Sequence, residues 1–285
     1  MNRRMLRIAA ASISREFNLP RMTPSARSKG EATVRRIYRR LSHRWGPQHW
    51  WPAETPFEVI VGAILTQNTS WTNVERALEK LRQANVLSLD GIRALPLAQL
   101  EQLVRSSGYY RQKADRLKLF VSFLDDRYSG SLEKMFAAPT EDLRAELLSL
   151  KGIGHETADA ILLYAGKHAI FVVDAYARRI LGRHGLLRDG AKYDEVRMLV
   201  ESALRAEVPV EVAKGSRTTA APPVMFIHEP STMSRAQGSI LSQVYNEMHG
   251  LLVQVGKHYC HKLQPDCRNC PLGNVLPITI TKLTA

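Results

Sequence analysis

The sequence predicts an all-α protein. Apolar residues recur along most of the 285-residue chain at the three-and-four spacing of one buried helix face. No set of alternating strand patterns rivals that periodicity, and only the short β-branched run at 170–173 is a candidate for extended backbone. Pro52, Pro56, Pro96 and Pro139, with Gly91, Gly108 and Gly130, fall between the apolar stretches, where turns belong.

Residues 1–30 are Arg-rich with Glu16 as their single acid, which suits a transit peptide, an over-long start or a flexible basic arm. They are read as a flexible basic extension outside the fold. Val34, Ile37, Tyr38 and Leu41 set the buried face of a first helix at roughly 31–45. The same spacing marks helices at Val74, Ala77, Leu78 and Leu81, and at Val196, Leu199, Val200 and Leu204. A last helix carries Leu241, Val244, Tyr245, Met248, Leu252 and Val255. Between the last two, at 208–238, the periodicity fails. Pro209, Pro222, Pro223 and Pro230 stand there among Ser, Thr, Ala and Gly, so the segment reads as a mobile insertion. No repeat of solenoid length is present.

With 45% hydrophobic residues the chain can bury the core of one large or two ordinary domains. Forty Lys and Arg against 27 Asp and Glu give a net charge of +13, which fits a polyanionic partner or simply solvated charged faces. No run of eighteen apolar residues occurs, so the expectation is a soluble, non-membrane protein. The only cysteines, Cys260, Cys267 and Cys270, lie within eleven residues, a clustering that argues against a disulfide scaffold. It favours metal or cluster ligation in a reducing compartment.

The motif richest in chemistry is Leu150, Lys151, Gly152, Ile153, Gly154, His155, Glu156, Thr157 and Ala158, followed by a lone carboxylate at Asp174. Two glycines flanking one apolar residue let a backbone turn sharply and approach a phosphate, where a Cβ would collide. The helix starting near His155 then aims its unpaired N–H groups at that phosphate. Such a turn also joins helices without binding anything. Asp174, twenty residues beyond Gly154 and after the apolar run 170–173, sharpens the reading, although a lone Asp there is also an N-cap.

At this point the chain resembles the helix-hairpin-helix DNA glycosylases of the endonuclease III superfamily. The resemblance covers roughly 33–206 and 240–277, including Leu65, Thr66, Gln67, Asn68 and Thr69, then Gly108, Tyr109, Tyr110 and Lys113, and later Tyr245, Asn246, Glu247 and His249. It implies that Asp174 is catalytic, stabilising positive charge on the sugar as the base leaves or orienting the attacking water. Bifunctional members use a lysine in the hairpin's second helix as an imine-forming nucleophile. Here Glu156 stands at that position, which implies a monofunctional enzyme that leaves an abasic site. Lys151, Gly152, Ile153, Gly154 and His155 would grip phosphate. Gln67 matches the position that fills the gap left by an extruded nucleotide, or is an ordinary polar helix cap.

Trp50, Trp51 and Pro52, the run Thr66, Gln67, Asn68, Thr69, Ser70 and Trp71, and the Gly-Ile-Gly-x-Glu hairpin look most like the 3-methyladenine DNA glycosylase III branch. That likeness implies a base pocket of Trp51, Pro52 and Trp71, with Trp50 nearby and Glu156, the second catalytic candidate, at its edge. The bland reading is core packing of tryptophans. An alkylated purine is cationic, is drawn to aromatic faces and a carboxylate, and leaves readily.

The cysteine spacing is similar to the endonuclease III iron–sulfur loop, whose fourth cysteine falls here on Leu276. Three thiolates are one short of an ordinary [4Fe–4S] set, which leaves four outcomes. They are a cluster with a fourth ligand such as His258 or His261, a three-iron cluster, a Cys₃His zinc site, or a remnant loop that binds nothing.

The resemblance implies two lobes with a DNA cleft between them. One is a six-helix barrel over 54–169 containing the hairpin, and the other comprises 31–53 with 170–285. It implies a cytoplasmic, nucleoid-associated monomer acting on double-stranded DNA that carries a damaged base, such as 3-methyladenine. The alternatives are an endonuclease III-like glycosylase for oxidised or mismatched pyrimidines, and a non-catalytic damage-sensing module.

Overall fold

The computed structural model describes residues 24–207, 230–236 and 238–275, and among them there is no β-strand. The helices are α1 (Pro24–Trp45), α2 (Pro56–Leu65), α3 (Trp71–Gln83), α4 (Leu89–Ala94), α5 (Leu97–Leu103), α6 (Tyr110–Tyr128) and α7 (Leu132–Phe136). They continue with α8 (Thr140–Ser149), α9 (His155–Ala160), α10 (Ala175–Arg183), α11 (Tyr193–Arg205), α12 (Thr232–Arg235) and α13 (Ile240–His258).

Local chemistry sets many of the boundaries. Thr55 caps α2 by accepting the Glu58 N–H, with Pro56 at the first helical position, where its missing N–H costs nothing. Ser88, Ser131, Ser231 and Ser239 cap α4, α7, α12 and α13 in the same way. Each such cap contributes about 1 kcal/mol. The periodic face of α1 is buried as its spacing requires, with Val34, Ile37 and Leu41 fully enclosed.

Several expectations change. The first helix begins at Pro24 rather than near Glu31, and Gly30 lies against Leu199 and Leu186, so the end of the expected extension is part of the fold. Residues 1–23 lie outside the described residues. The stretch 54–169 carries eight α-helices rather than six, because Pro96 and Gly130 set off short pieces such as α4, α5 and α7, while Gly91 lies within α4 rather than in a turn. Residues 170–173 are buried but pair with no strand. Of the expected insertion, 208–229 and 237 lie outside the described residues. The part that is described includes α12, whose Met233 N–H donates to the Ala53 carbonyl.

Helices α3 and α6 each pack on α2 and α8 packs on α9, while α1, α11 and α13 form a second group with α10 against α13. One hydrophobic cluster runs through both groups. Between them lies a buried ionic network. Arg144 of α8 donates to Asp159 of α9 at 2.6 Å and to Asp194 of α11 at 2.8 Å, and Arg197 joins Asp194 to Glu201. Glu201 accepts the Phe171 N–H at 2.9 Å, and the Tyr193 hydroxyl accepts that of Val173 at 3.1 Å. The network thereby fixes the extended segment that delivers Asp174 with respect to the hairpin helices.

Candidate active site around Asp174 and the helical hairpin

The hairpin joins α8 to α9 through 150–154. Gly152 has φ +90, a left-handed conformation, and a Cβ there would meet Arg116 Nε at 2.2 Å. Gly154 is different. Its backbone is extended and nothing lies within 4 Å of where a Cβ would be, so the fold leaves the space above it open. Ile153 anchors the turn in the core, while Lys151 and His155 are exposed beside it. Gly154 caps α9 and leaves the first N–H groups of the helix available. His155 is held from behind, its ring stacked on Tyr193 at 5.2 Å and its Nδ1 3.1 Å from Arg144.

Asp174 combines the bland reading with a further contact. Its Oδ1 accepts the Ala177 N–H at 2.7 Å and caps α10, while Oδ2 lies 3.5 Å from His249 Nε2. Glu156, in the first turn of α9, keeps a solvent-exposed face. Desolvation there, reinforced by the charge of Asp174 and opposed by His249 and Arg178, pushes its carboxyl up to about 7. Neighbouring carboxyls whose surroundings differ can divide acid and base roles.

The tryptophans form a wall. Trp51 is buried with φ +82, stacks on Tyr164 at 4.7 Å and meets Trp71 edge-on at 5.4 Å. Both rings lie over Gly62 of α2, where a Cβ would be in ordinary contact with Trp51 at 3.4 Å and Trp71 at 3.6 Å. Trp50 packs edge-on against His249 at 5.6 Å. Pro52 is half-buried in the same turn, which Ser231 clamps by donating to Trp51 O and accepting the Ala53 N–H.

Gln67 is not free. Its amide donates to Gly152 O and to Thr157 Oγ1, each at 2.9 Å, and its carbonyl accepts from Arg116. Lys113, fully buried, donates to Leu65 O at 2.8 Å and Ser107 O at 2.6 Å, tying the loop that carries Gln67 to the turn that carries Tyr109. Burial lowers the Lys113 amine to about 8. Tyr109 is 67% exposed in a left-handed conformation.

Cys260, Cys267 and Cys270 lie apart from this site. Arg179 and Arg183 of α10 hold the cysteine loop, so it sits toward the end of the helix opposite Asp174, about 13 Å along the axis at the helical rise. The three thiols line one cavity with Arg183 and His184, whereas His258 and His261 are exposed and do not line it. Cys260 Sγ accepts from Arg183 at 3.1 Å, and Cys270 Sγ accepts the Leu272 N–H at 3.4 Å. Burial raises the Cys267 thiol and pushes Cys270 up to about 11. The described residues contain no group of three or more His, Cys, Asp or Glu side chains arranged around a single metal ion. Three sulfurs, one backbone N–H donor and a guanidinium line this cavity, one thiolate short of an ordinary four-cysteine cluster set. Leu276 offers no ligand atom and lies outside the described residues.

Sequence reasoning missed Tyr164, Arg116 and Ser231, and gave His249 no role. Tyr164 sits in an apolar run that reads as core, on a π-helical turn at Ile161–Ala165, and no local pattern marks such a turn.

The family model described as HhH-GPD superfamily base excision DNA repair protein matches residues 61–206. A Methanocaldococcus jannaschii protein described as a candidate DNA repair glycosylase is 39% identical, covering 84% of this chain and 93% of its own. Endonuclease III of Thermotoga maritima is 26% identical, covering 77% of this chain and 81% of its own. Among solved structures, an H. pylori 3-methyladenine DNA glycosylase bound to 1,N6-ethenoadenine aligns with TM-score 0.62 and 29% identity, covering 80% of this chain and 97% of that one.

Proposed function

Because the chain belongs to the HhH-GPD superfamily of base excision DNA repair proteins, we propose that it is a monofunctional DNA glycosylase releasing an alkylated purine such as 3-methyladenine. The observation that carries this reading is Glu156, a carboxyl rather than an amine, electrostatically coupled to Asp174 and to Tyr164, the phenol on which Trp51 stacks. A carboxyl cannot form the imine that precedes strand cleavage, and when ionised it favours a cationic base. The name of the H. pylori relative points the same way.

In this mechanism DNA lies between the lobe of 54–169 and the lobe of 31–53 with 170–275. The hairpin grips phosphate through Lys151, the amides near Gly154 and His155. Gln67 lets go of Gly152 and Thr157 to fill the gap in the stack, and Tyr109 stacks on an exposed base. The flipped base lies against Trp51, Pro52 and Trp71, with Trp50 beyond. The C1′–N bond breaks with its electron pair passing to the base, which leaves neutral. Asp174 faces the positive charge on the sugar, water oxygen bonds C1′, and the water proton passes to Asp174 and on to solvent. An iron–sulfur cluster, where bound, would be held by Cys260, Cys267 and Cys270 and would cross-link the loop packed on α10.

The test is base release from dimethyl sulfate-treated duplex DNA, read by mass spectrometry, with Asp174→Asn as control. Free alkylpurine from wild type, none from the variant, and no borohydride-trapped protein–DNA adduct is the expected result. Absence of any freed alkylpurine, or release of oxidised pyrimidines instead, overturns the substrate assignment. Duplex binding without release by either protein overturns the enzyme.

A further inference from the structure

We propose that His249 is a positioning residue for Asp174, held by the Tyr164 hydroxyl in the tautomer that presents an Nε2–H to the catalytic carboxylate. This role rests on the proposed glycosylase chemistry. Asp174 has only one oxygen to spare, since Oδ1 is engaged with the Ala177 N–H at 2.7 Å. The other, Oδ2, faces His249 Nε2 at 3.5 Å. His249 is 4% exposed, and its Nε2 has no hydrogen-bond partner among the described residues, so a buried polar atom is aimed at the reacting carboxylate and nothing else satisfies it.

The opposite edge of the ring fixes the tautomer. Tyr164 Oη lies 2.6 Å from Nδ1. A carboxylate can only accept, so a neutral imidazole that serves Asp174 carries its proton on Nε2 and leaves Nδ1 to accept from the phenol. Burial pushes the Tyr164 phenol well above its ordinary value, which keeps it a neutral donor. The ring cannot turn away, because Trp50, Tyr164 and Phe171 pack around it at centroid distances of 5.6, 5.7 and 6.5 Å. Trp51 stacks on the same Tyr164 at 4.7 Å, so the wall that would receive the base also holds the phenol that orients His249. The gap of 3.5 Å is wider than a formed hydrogen bond, and closing it would hold Oδ2 in one orientation.

The test compares His249→Phe, His249→Gln, Tyr164→Phe and the His249→Phe/Tyr164→Phe pair. It measures single-turnover base release from dimethyl sulfate-treated duplex at saturating enzyme, alongside the dissociation constant for the duplex. His249→Phe keeps the ring volume and removes both nitrogens. It should slow release ~10–100-fold, the range for losing an orienting partner, with duplex affinity within about twofold. His249→Gln, which restores an N–H donor, should recover part of that loss. Tyr164→Phe should slow release by itself and add nothing in the His249→Phe background, because the phenol acts through the ring. Nitrogen-15 imidazole spectra of the unliganded protein should show the Nε2–H tautomer in wild type and a mixture in Tyr164→Phe. A His249→Phe rate within twofold of wild type, additive losses, or an Nδ1–H tautomer overturns the proposal. Wild-type release that vanishes in Asp174→Asn but persists in His249→Phe removes this role and leaves the glycosylase reading intact. Wild-type protein that frees no base removes both.

Discussion

Replacing Glu156 with glutamine tests the electrostatics of the site most directly. Its carboxyl stands at about 7 because of desolvation and the charge of Asp174, so near neutrality it is half ionised. If a cationic base is drawn in by the ionised form, about a tenth of the free protein is competent at pH 6 and about nine tenths at pH 8. The apparent kcat/KM for release of 3-methyladenine should therefore rise about tenfold across that window, reporting the free protein. An ordinary glutamate would change by only about 3% over the same range. Glu156→Gln should flatten the profile and lie about tenfold below wild type at pH 8. Stability gives a second readout with its own sign. A folded-state carboxyl raised above its unfolded value of 4.5 contributes full stability below pH 4.5, and that contribution fades as pH climbs through 7. The Tm of wild type relative to Glu156→Gln should fall between pH 5 and pH 8. A flat wild-type rate profile, or the same rise in the variant, would refute a role for this carboxylate in drawing in the base.

Lys151→Ala should weaken duplex binding at every sequence and lower the slope of log Kd against log salt by about one, read by fluorescence anisotropy across a salt series. Arg144→Met leaves Asp159, which is fully enclosed, without its guanidinium partner. It should cost about 3–5 kcal/mol, visible in denaturant unfolding, and the loss should shrink as acid neutralises Asp159, whose carboxyl burial already raises. Gly256→Ala places a Cβ 2.1 Å from the Tyr176 ring and should cost about 1–3 kcal/mol by forcing α10 and α13 apart, checked by thermal unfolding.

The helices with a periodic face were legible because a buried stripe leaves its period in the chain. Leu41, Leu81, Leu204 and Leu252 are all fully enclosed. Asp174 and the hairpin were legible for a different reason, since a glycine turn followed by an acid is a local arrangement. The pair reads as serving both a sharp turn and a close approach, and the structure divides the two uses between them. Gly152 bears the strained backbone, whereas Gly154 supplies open space, and sequence cannot separate these two uses of a missing Cβ. The tryptophan wall was legible as a set of residue types but not as geometry, because the stacking partner Tyr164 lies 113 positions beyond Trp51 and looks like core.

By itself the sequence determined the helical class, the two-glycine turn, the acid that follows it and the carboxyl at Glu156, because periodicity, turn chemistry and residue identity are local properties. Only the tertiary structure decided which groups share the site. It brought His249 from α13 to Asp174, tied Gln67 back onto the hairpin, and set the cysteine loop at the far end of α10. Those contacts span from 75 to 85 positions in the chain. Long-range packing alone brings such groups together, and it leaves no period or spacing in the sequence to be read.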